Sequence, residues 1–177
     1  MTDQQILTRT DRLIIRRFTT SDLSDFLAYQ ADPVVRRFIP GEPMSQRQAA
    51  SYLAVQAALD EHAVNAWHAY AVEHAGEQRV IGDVGIWLAE EPPRTGDVGF
   101  QFHPGFHGQG YAREAMHAFL PHVFETMDVE TVTATCDTPN TASWGLMKRL
   151  GMRMVRQSPE QTQFALTHQE FDGATGR

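Results

Sequence analysis

The sequence predicts a mixed α/β fold, a central sheet with helices on its faces. Three observations carry this. Segments follow one another as strand, two helices, three strands, helix, strand, helix, two strands. The stretch Asp97–Met127 reads as strand, glycine loop and helix. Thr131 to Cys136 is rich in β-branched residues, the composition of a central strand.

The elements follow in order. Over Arg12–Phe18, Leu13 and Ile15 alternate with Ile14 and Arg16, as in a short strand. Thr19 and Asp22 form a capping box ahead of Leu23, Phe26 and Leu27, which predicts a helix over Ser21–Gln30. Asp32-Pro33 ends or bends it. Val34–Phe38 makes a short helical turn, and Pro40-Gly41 and Pro43 mark a loop. Ser45 and Gln48 form a second capping box for a helix over Gln46–Glu61. Trp67, Ala69 and Ala71 then alternate with His68, Tyr70 and Val72. A polar turn at His74–Gln78 joins this strand to another over Val80–Leu88. Gly82 and Gly85 mark a bulge or the close approach of a ligand there. Glu90–Gly96, with Pro92 and Pro93, is a loop.

The organising stretch comes next. Val98, Phe100 and Phe102 are apolar at period two, and Pro104 and Gly105 stop the strand. Ala115, Met116, Phe119, Leu120 and Val123 have the three-four spacing of a helix. Between them, Gly108 and Gly110 let the backbone approach a ligand with free N–H groups outward. The helix dipole adds about 0.3–1 kcal/mol for an anion held there. Such a turn suits phosphate. It is not a P-loop, because Tyr111 and Ala112 stand where Lys and Ser or Thr would follow the last glycine. It is not a dinucleotide fingerprint, because Arg113 occupies the third small position.

Beyond the strand at Thr131–Cys136, Asp137-Thr138-Pro139-Asn140 turns the chain into a helix over Thr141–Leu150, with Gly151 as its C-cap. Met152–Val155 and Gln163–Leu166 are the last strands, and Asp172–Arg177 is expected to fray. One domain is expected over 1–177, its core at about 10–167.

Composition narrows the function. The 177 residues are 42% hydrophobic and 21% charged, as in globular proteins. A net charge of −7 argues against a nucleic-acid partner. The single cysteine, Cys136, excludes an internal disulfide framework and reads as a small buried core residue. Met1-Thr2-Asp3-Gln4-Gln5 is polar and lacks a signal-peptide pattern, and no apolar run reaches the ~18 residues of a membrane span. The reading is a cytoplasmic protein without a membrane partner. His103 and His107 are separated by Pro104 and Gly105, which forbid the helix that would pair them on a metal. Trp67, Trp87 and Trp144 read as core or cleft wall, and Glu114 as a complement to the helix dipole.

The glycine turn resembles the Q/R-x-x-G-x-G/A turn of the GNAT N-acetyltransferases. His107 takes the Gln/Arg place, Gly110 the fixed glycine and Ala112 the last small residue. Four segments in order resemble the ribosomal-protein (Rim-type) and related small-molecule branch of that superfamily. They are Thr10-Asp11-Arg12-Leu13 with Arg16; Ile81-Gly82; Asp97-Val98-Gly99-Phe100 with His103-Pro104, Gly108, Gly110, Tyr111, Ala112, Glu114 and Ala115; and Asn140, Ser143, Lys148 and Leu150-Gly151-Met152. The resemblance covers about Thr10 to Val155. It implies a mostly antiparallel sheet with helices on both faces and a pyrophosphate loop before the long central helix. It also implies acetyl-CoA as co-substrate, no metal, a homodimer, and a primary amine acceptor, either a protein N-terminus or a small amine. Phe102, His107, Gly108, Gln109, Gly110, Tyr111, Ala112 and Asn140 are the cofactor-binding positions that it implies.

The chemistry it implies is attack of a neutral amine on a thioester. Asp97 stands where the family often has Glu, and is the candidate base through a water. Its other reading is a solvated carboxylate at a loop end, with Glu90 and Glu91 as substitutes. Ser143 is the candidate proton or hydrogen-bond donor to the leaving sulfur, because Met147 occupies the place of the tyrosine that many GNAT enzymes use. Its other reading is a hydroxyl in the first turn of a helix, and Asn140 equally reads as an N-cap. A reading from another class stays open, a GNAT-fold module that binds or senses acyl-CoA without turnover.

Overall fold

The computed structural model describes residues 5–176. The polar opening at Met1–Gln4 and the terminal Arg177 lie outside the described residues. Strands β1 (Ile6–Arg9) and β2 (Leu13–Arg17) form a hairpin. A 3-10 turn at Thr20–Asp22 leads into α1 (Leu23–Gln30), and one helical turn, α2, spans Pro33–Arg36. Then come α3 (Gln46–Ala58), β3 (Ala66–His74), β4 (Arg79–Leu88) and β5 (Thr95–Phe102). Helix α4 (Tyr111–Pro121) runs into a π-helical turn at His122–Thr126. The chain closes with β6 (Thr131–Asp137), α5 (Thr141–Arg149), β7 (Arg153–Gln157), β8 (Gln161–Thr167) and α6 (His168–Thr175).

The eight strands form one sheet in the order β1-β2-β3-β4-β5-β6-β8-β7. Neighbours are antiparallel except β5 and β6, which are parallel. The reason is α4, which carries the chain back along the sheet between those two strands. Helices cover both faces. On one, Met116, Phe119 and Leu120 of α4 and Leu146 and Met147 of α5 pack with Val84, Ile86, Val98 and Phe164. On the other, Phe26 and Tyr29 of α1 and Leu53 of α3 pack on Ala69 and Ala71 of β3.

Both predicted capping boxes are present, at Thr19/Asp22 and Ser45/Gln48. Helix α3 stops a turn earlier than its periodicity predicts, because Leu59 turns extended (ψ 132°). The predicted bulge falls at Gly82, where the β3–β4 register shifts past Ile81. Gly85 answers to a close approach from within the chain. A Cβ there would sit 2.4 Å from the Trp67 ring, which also lies against Gly99.

Three expectations need correction. The ordered core begins before Thr10, because Ile6–Arg9 pairs with β2. The expected fray at Asp172 is helix α6 up to Thr175, capped by a Thr167/Glu170 box and pinned by buried Phe171. Cys136 is half-buried rather than a core residue.

Candidate active site

The site begins where the sheet parts. Thr95, Gly96 and Asp97 pair with Thr131, Val132 and Thr133, and then β5 and β6 diverge. A crevice at the carboxyl ends of two diverging parallel strands is where open α/β sheets place ligands. The His103 N–H donates to the Ile81 carbonyl at 2.8 Å. By the antiparallel alternation, Asp97, Gly99 and Gln101 therefore turn their backbone groups to β4, and Phe100 and Phe102 turn theirs to the crevice. The Phe102 carbonyl accepts from His107 Nε2 at 2.7 Å. Its acceptor is thus used inside the chain, and the His107 ring is turned to the strand end. Phe100, two residues earlier, presents its backbone to the crevice. Sequence reasoning missed it because only the ladder register reveals which residues face outward.

The glycine loop follows β5. Gly108 (φ +72°) and Gly110 (φ +83°) both hold the left-handed conformation that favours glycine. A Cβ at Gly108 would meet nothing within 4 Å, so the demand there is conformational. The first helical bond of α4 runs from the Glu114 N–H to the Gly110 carbonyl at 3.0 Å. The Tyr111, Ala112 and Arg113 N–H groups therefore stand free of the helix ladder.

Arg12 braces this loop from β1–β2. Its Nη1 donates to the Gln109 carbonyl at 3.1 Å and its Nε to Glu114 Oε2 at 2.7 Å. The guanidinium lies 4.1 Å from the Tyr111 ring centre. The Tyr111 hydroxyl meets His74 Nε2 at 3.0 Å, and Gln109 Nε2 donates to the Gly105 carbonyl at 3.1 Å. Glu114 does more than complement the dipole. Burial raises its pKa, but hydrogen bonds from Thr10 and Arg12 and the Arg12 charge outweigh this and hold it below the ordinary value.

Asp97 sits at the root of the crevice, three residues into β5 rather than at its start. Its Oδ1 accepts from Thr133 Oγ1 at 2.6 Å and from Thr135 Oγ1 at 3.1 Å. Glu90 is held by Asn65 Nδ2 at 2.9 Å, and Glu91 is exposed beyond the strand. On the far side of the crevice, Asn140 caps α5, its Oδ1 accepting from the Ser143 N–H at 3.5 Å. Ser143 is half-buried in the first turn of α5, and Met147, one turn on, is buried.

A polar cluster that the sequence reading missed lies beneath α1. Asp83 of β4, 3% exposed, accepts from Tyr29 Oη at 2.6 Å and Gln101 Nε2 at 2.8 Å. Burial pushes its carboxyl up to about 6, against the pull of those two hydrogen bonds. A charged residue inside the apolar run Val80–Leu88 was the available signal. Among the described residues, no group of three or more His, Cys, Asp or Glu could hold a metal ion, and no helix is long and apolar enough to cross a membrane.

Comparison with known proteins follows the same lines. Residues 12–153 match the family model described as the acetyltransferase (GNAT) domain. Over 144 residues the chain is 28% identical to the uncharacterized N-acetyltransferase YnaD of Bacillus subtilis, covering 81% of each protein. It is 27% identical over 146 residues to YoaA, another uncharacterized N-acetyltransferase of that organism, again covering 81% of each. A GNAT-family acetyltransferase structure from Bacillus anthracis superposes with a TM-score of 0.75 at 24% identity, covering 91% of this chain and 98% of that one. The ribosomal L7/L12 alpha-N-protein acetyltransferase RimL, solved with coenzyme A, superposes with a TM-score of 0.77 at 15% identity, covering 92% and 98%. At these identities the two structures show the shared fold.

Proposed function

We propose that this chain, which belongs to the acetyltransferase (GNAT) family and is an acetyltransferase enzyme, moves an acetyl group from acetyl-CoA directly to a primary amine in a ternary complex. The observation that carries this is the parting of β5 and β6 beside a loop with two left-handed glycines. The crevice offers the backbone of Phe100 and the Phe102 N–H to an extended amide-bearing chain, as an added strand would use them. The free N–H groups at the start of α4 suit a pyrophosphate. His107, Gly108, Gln109, Gly110, Tyr111 and Ala112 form that cradle, and Asn140 borders the crevice from the other side. Acetyl-CoA supplies an acetyl thioester there.

The chain's own residues handle the protons. An ammonium must lose one proton before its nitrogen can form the new C–N bond. Asp97 takes that proton through a water, in keeping with its place at the root of the crevice. As the C–S bond breaks, the Ser143 hydroxyl donates a hydrogen bond to the departing thiolate. A lysine-like amine is about 0.1% neutral near pH 7.4, an α-amine about a quarter neutral, so a peptide N-terminus asks less of the base. The likeness to RimL favours a Rim-type acceptor of that kind. A cytoplasmic homodimer is the expected setting, on the fold class and the single cysteine.

A second reading, a module that holds acyl-CoA without turnover, draws on Met147 in the place of a proton donor. Free-thiol release from acetyl-CoA, measured with N-terminal peptides, polyamines, amino acids and aminoglycosides, separates the two. Amine-dependent release is expected. Binding of acetyl-CoA with silence across the panel would favour the module.

A further inference from the structure

The identity of the acceptor rests on the reading just given, and the sheet register bears on it. Trp87 of β4 lies opposite Asp97 of β5, and Asp97 opposite Thr133 of β6. One step along the strands, Thr135 of β6 lies opposite Gln163 of β8, and Gln163 opposite Arg156 of β7. Directly opposed residues share a sheet face, and so do residues two apart on a strand. These side chains therefore stand on the face that α1 and α3 cover farther over, at β3.

The presence of Arg156 in this row comes from a bulge. Met154 lies opposite Phe164, so a regular ladder would set Val155 opposite Gln163. The register shift before Arg156 brings the guanidinium there instead. Bulges re-aim side chains in this way beside functional sites. Hydrogen bonds run along the row. Gln163 Nε2 donates to Thr135 Oγ1 at 3.2 Å, and Thr135 Oγ1 donates to Asp97 Oδ1 at 3.1 Å. Thr135, Arg156, Ser158, Gln161 and Gln163 line a cleft of about 170 Å³. At the other end Trp87 is 47% exposed beside Asp97, an aromatic surface for an ammonium group.

The face thus has a carboxylate at one end and a guanidinium at the other, three strand spacings across and two residues along, about 16 Å apart at the backbone. A polyamine or aminoglycoside would set a second cation against Arg156. A peptide satisfies both ends. We infer that the acceptor is a peptide lying across this face, its free α-amine at Asp97 and an acidic side chain near its third residue paired with Arg156.

The test compares kcat/KM for two five-residue peptide amides, alike except for Glu or Gln at the third position. The Glu peptide is expected to lead by about fivefold. The ratio should fall to about one in Arg156→Gln and turn in favour of a Lys peptide in Arg156→Glu. Arg153→Gln is the control, because that guanidinium is already paired with Glu170 at 3.0 Å. It should keep the ratio. Equal turnover of the two peptides by the unaltered chain, or an undiminished ratio in Arg156→Gln, overturns the inference. Turnover of polyamines with none of peptides also overturns it, while amine acetylation stands. Thiol release with no amine at all removes the N-acetyltransferase reading and this inference together.

Discussion

Arg12 and Glu114, distant in sequence, join the turn between β1 and β2 to the first turn of α4, with Arg12 Nε donating to Glu114 Oε2 at 2.7 Å. The same guanidinium holds the Gln109 carbonyl, so one side chain sets both the loop and the helix entrance. Replacing Glu114 by Gln should loosen this brace and raise the KM for acetyl-CoA severalfold while leaving kcat nearly unchanged. The pair also has a pH signature. The Glu114 pKa is depressed, so its contribution is full above its ordinary value of 4.5 and fades as pH falls through the lower, folded value. The Arg12 side chain is 42% exposed, which limits the contribution to about 0.5 kcal/mol after screening. Urea midpoints on the acid side, compared between the natural chain and Glu114→Gln, measure it. Parallel curves would count against the pair.

Gly110 holds φ +83°, and the nearest atom to a Cβ there is Arg12 Nη2 at 3.6 Å, an ordinary contact. The cost of Gly110→Ala is therefore conformational, about 1–2 kcal/mol. Thermal unfolding should report that loss, and calorimetric titration with coenzyme A should report weaker binding. An unchanged melting temperature would mean that the turn relaxes freely.

Asp83 predicts a slope of the opposite sign. Burial lifts its carboxyl from 3.8 to about 6. Between those values the folded chain keeps a proton that the unfolded chain has released, so stability falls as pH rises through that window and then levels off. The drop is about 3 kcal/mol. Asp83→Asn should remove that slope. Denaturation midpoints from pH 4 to 7 provide the comparison, and a slope that survives in the variant would place its origin elsewhere.

For the chemistry, Asp97→Asn should lower kcat about 10²-fold, the usual worth of a base, with the KM for acetyl-CoA little changed. Ser143→Ala should lower kcat about tenfold, the worth of a hydrogen bond to a charged sulfur. If acetyl-CoA consumption by both variants matches the natural chain, neither residue handles a proton.

Much of the fold was legible because local signals and tertiary packing agree. Thr19/Asp22 and Ser45/Gln48 cap helices as they read, and Gly108 and Gly110 adopt the conformations that glycine makes available. Strand β1 was not legible because its four residues carry no alternation and none is buried. Helix α6 left a signal, Thr167 and Glu170 at capping-box spacing, but its one buried anchor, Phe171, gives no periodicity. Around the candidate site, the glycine loop and the strand that carries Asp97 were legible. It did not reveal the Arg12–Glu114 brace, the turn of His107 onto Phe102, or the outward-facing backbone of Phe100. The first and last depend on which distant strands meet and in what register, and the second on how the loop folds back onto the end of β5.

The joint between β5 and β6 has a mechanical consequence. Five strands lie on one side of it and three on the other, and the sheet crosses from one to the other through the pairing of Thr95–Asp97 with Thr131–Thr133. A chain that pairs with the free edges beyond Asp97 works as a stitch, fastening the two panels along their open length. Occupancy should then slow amide exchange in β5 and β6 and also in β8, a strand that the stitch does not touch.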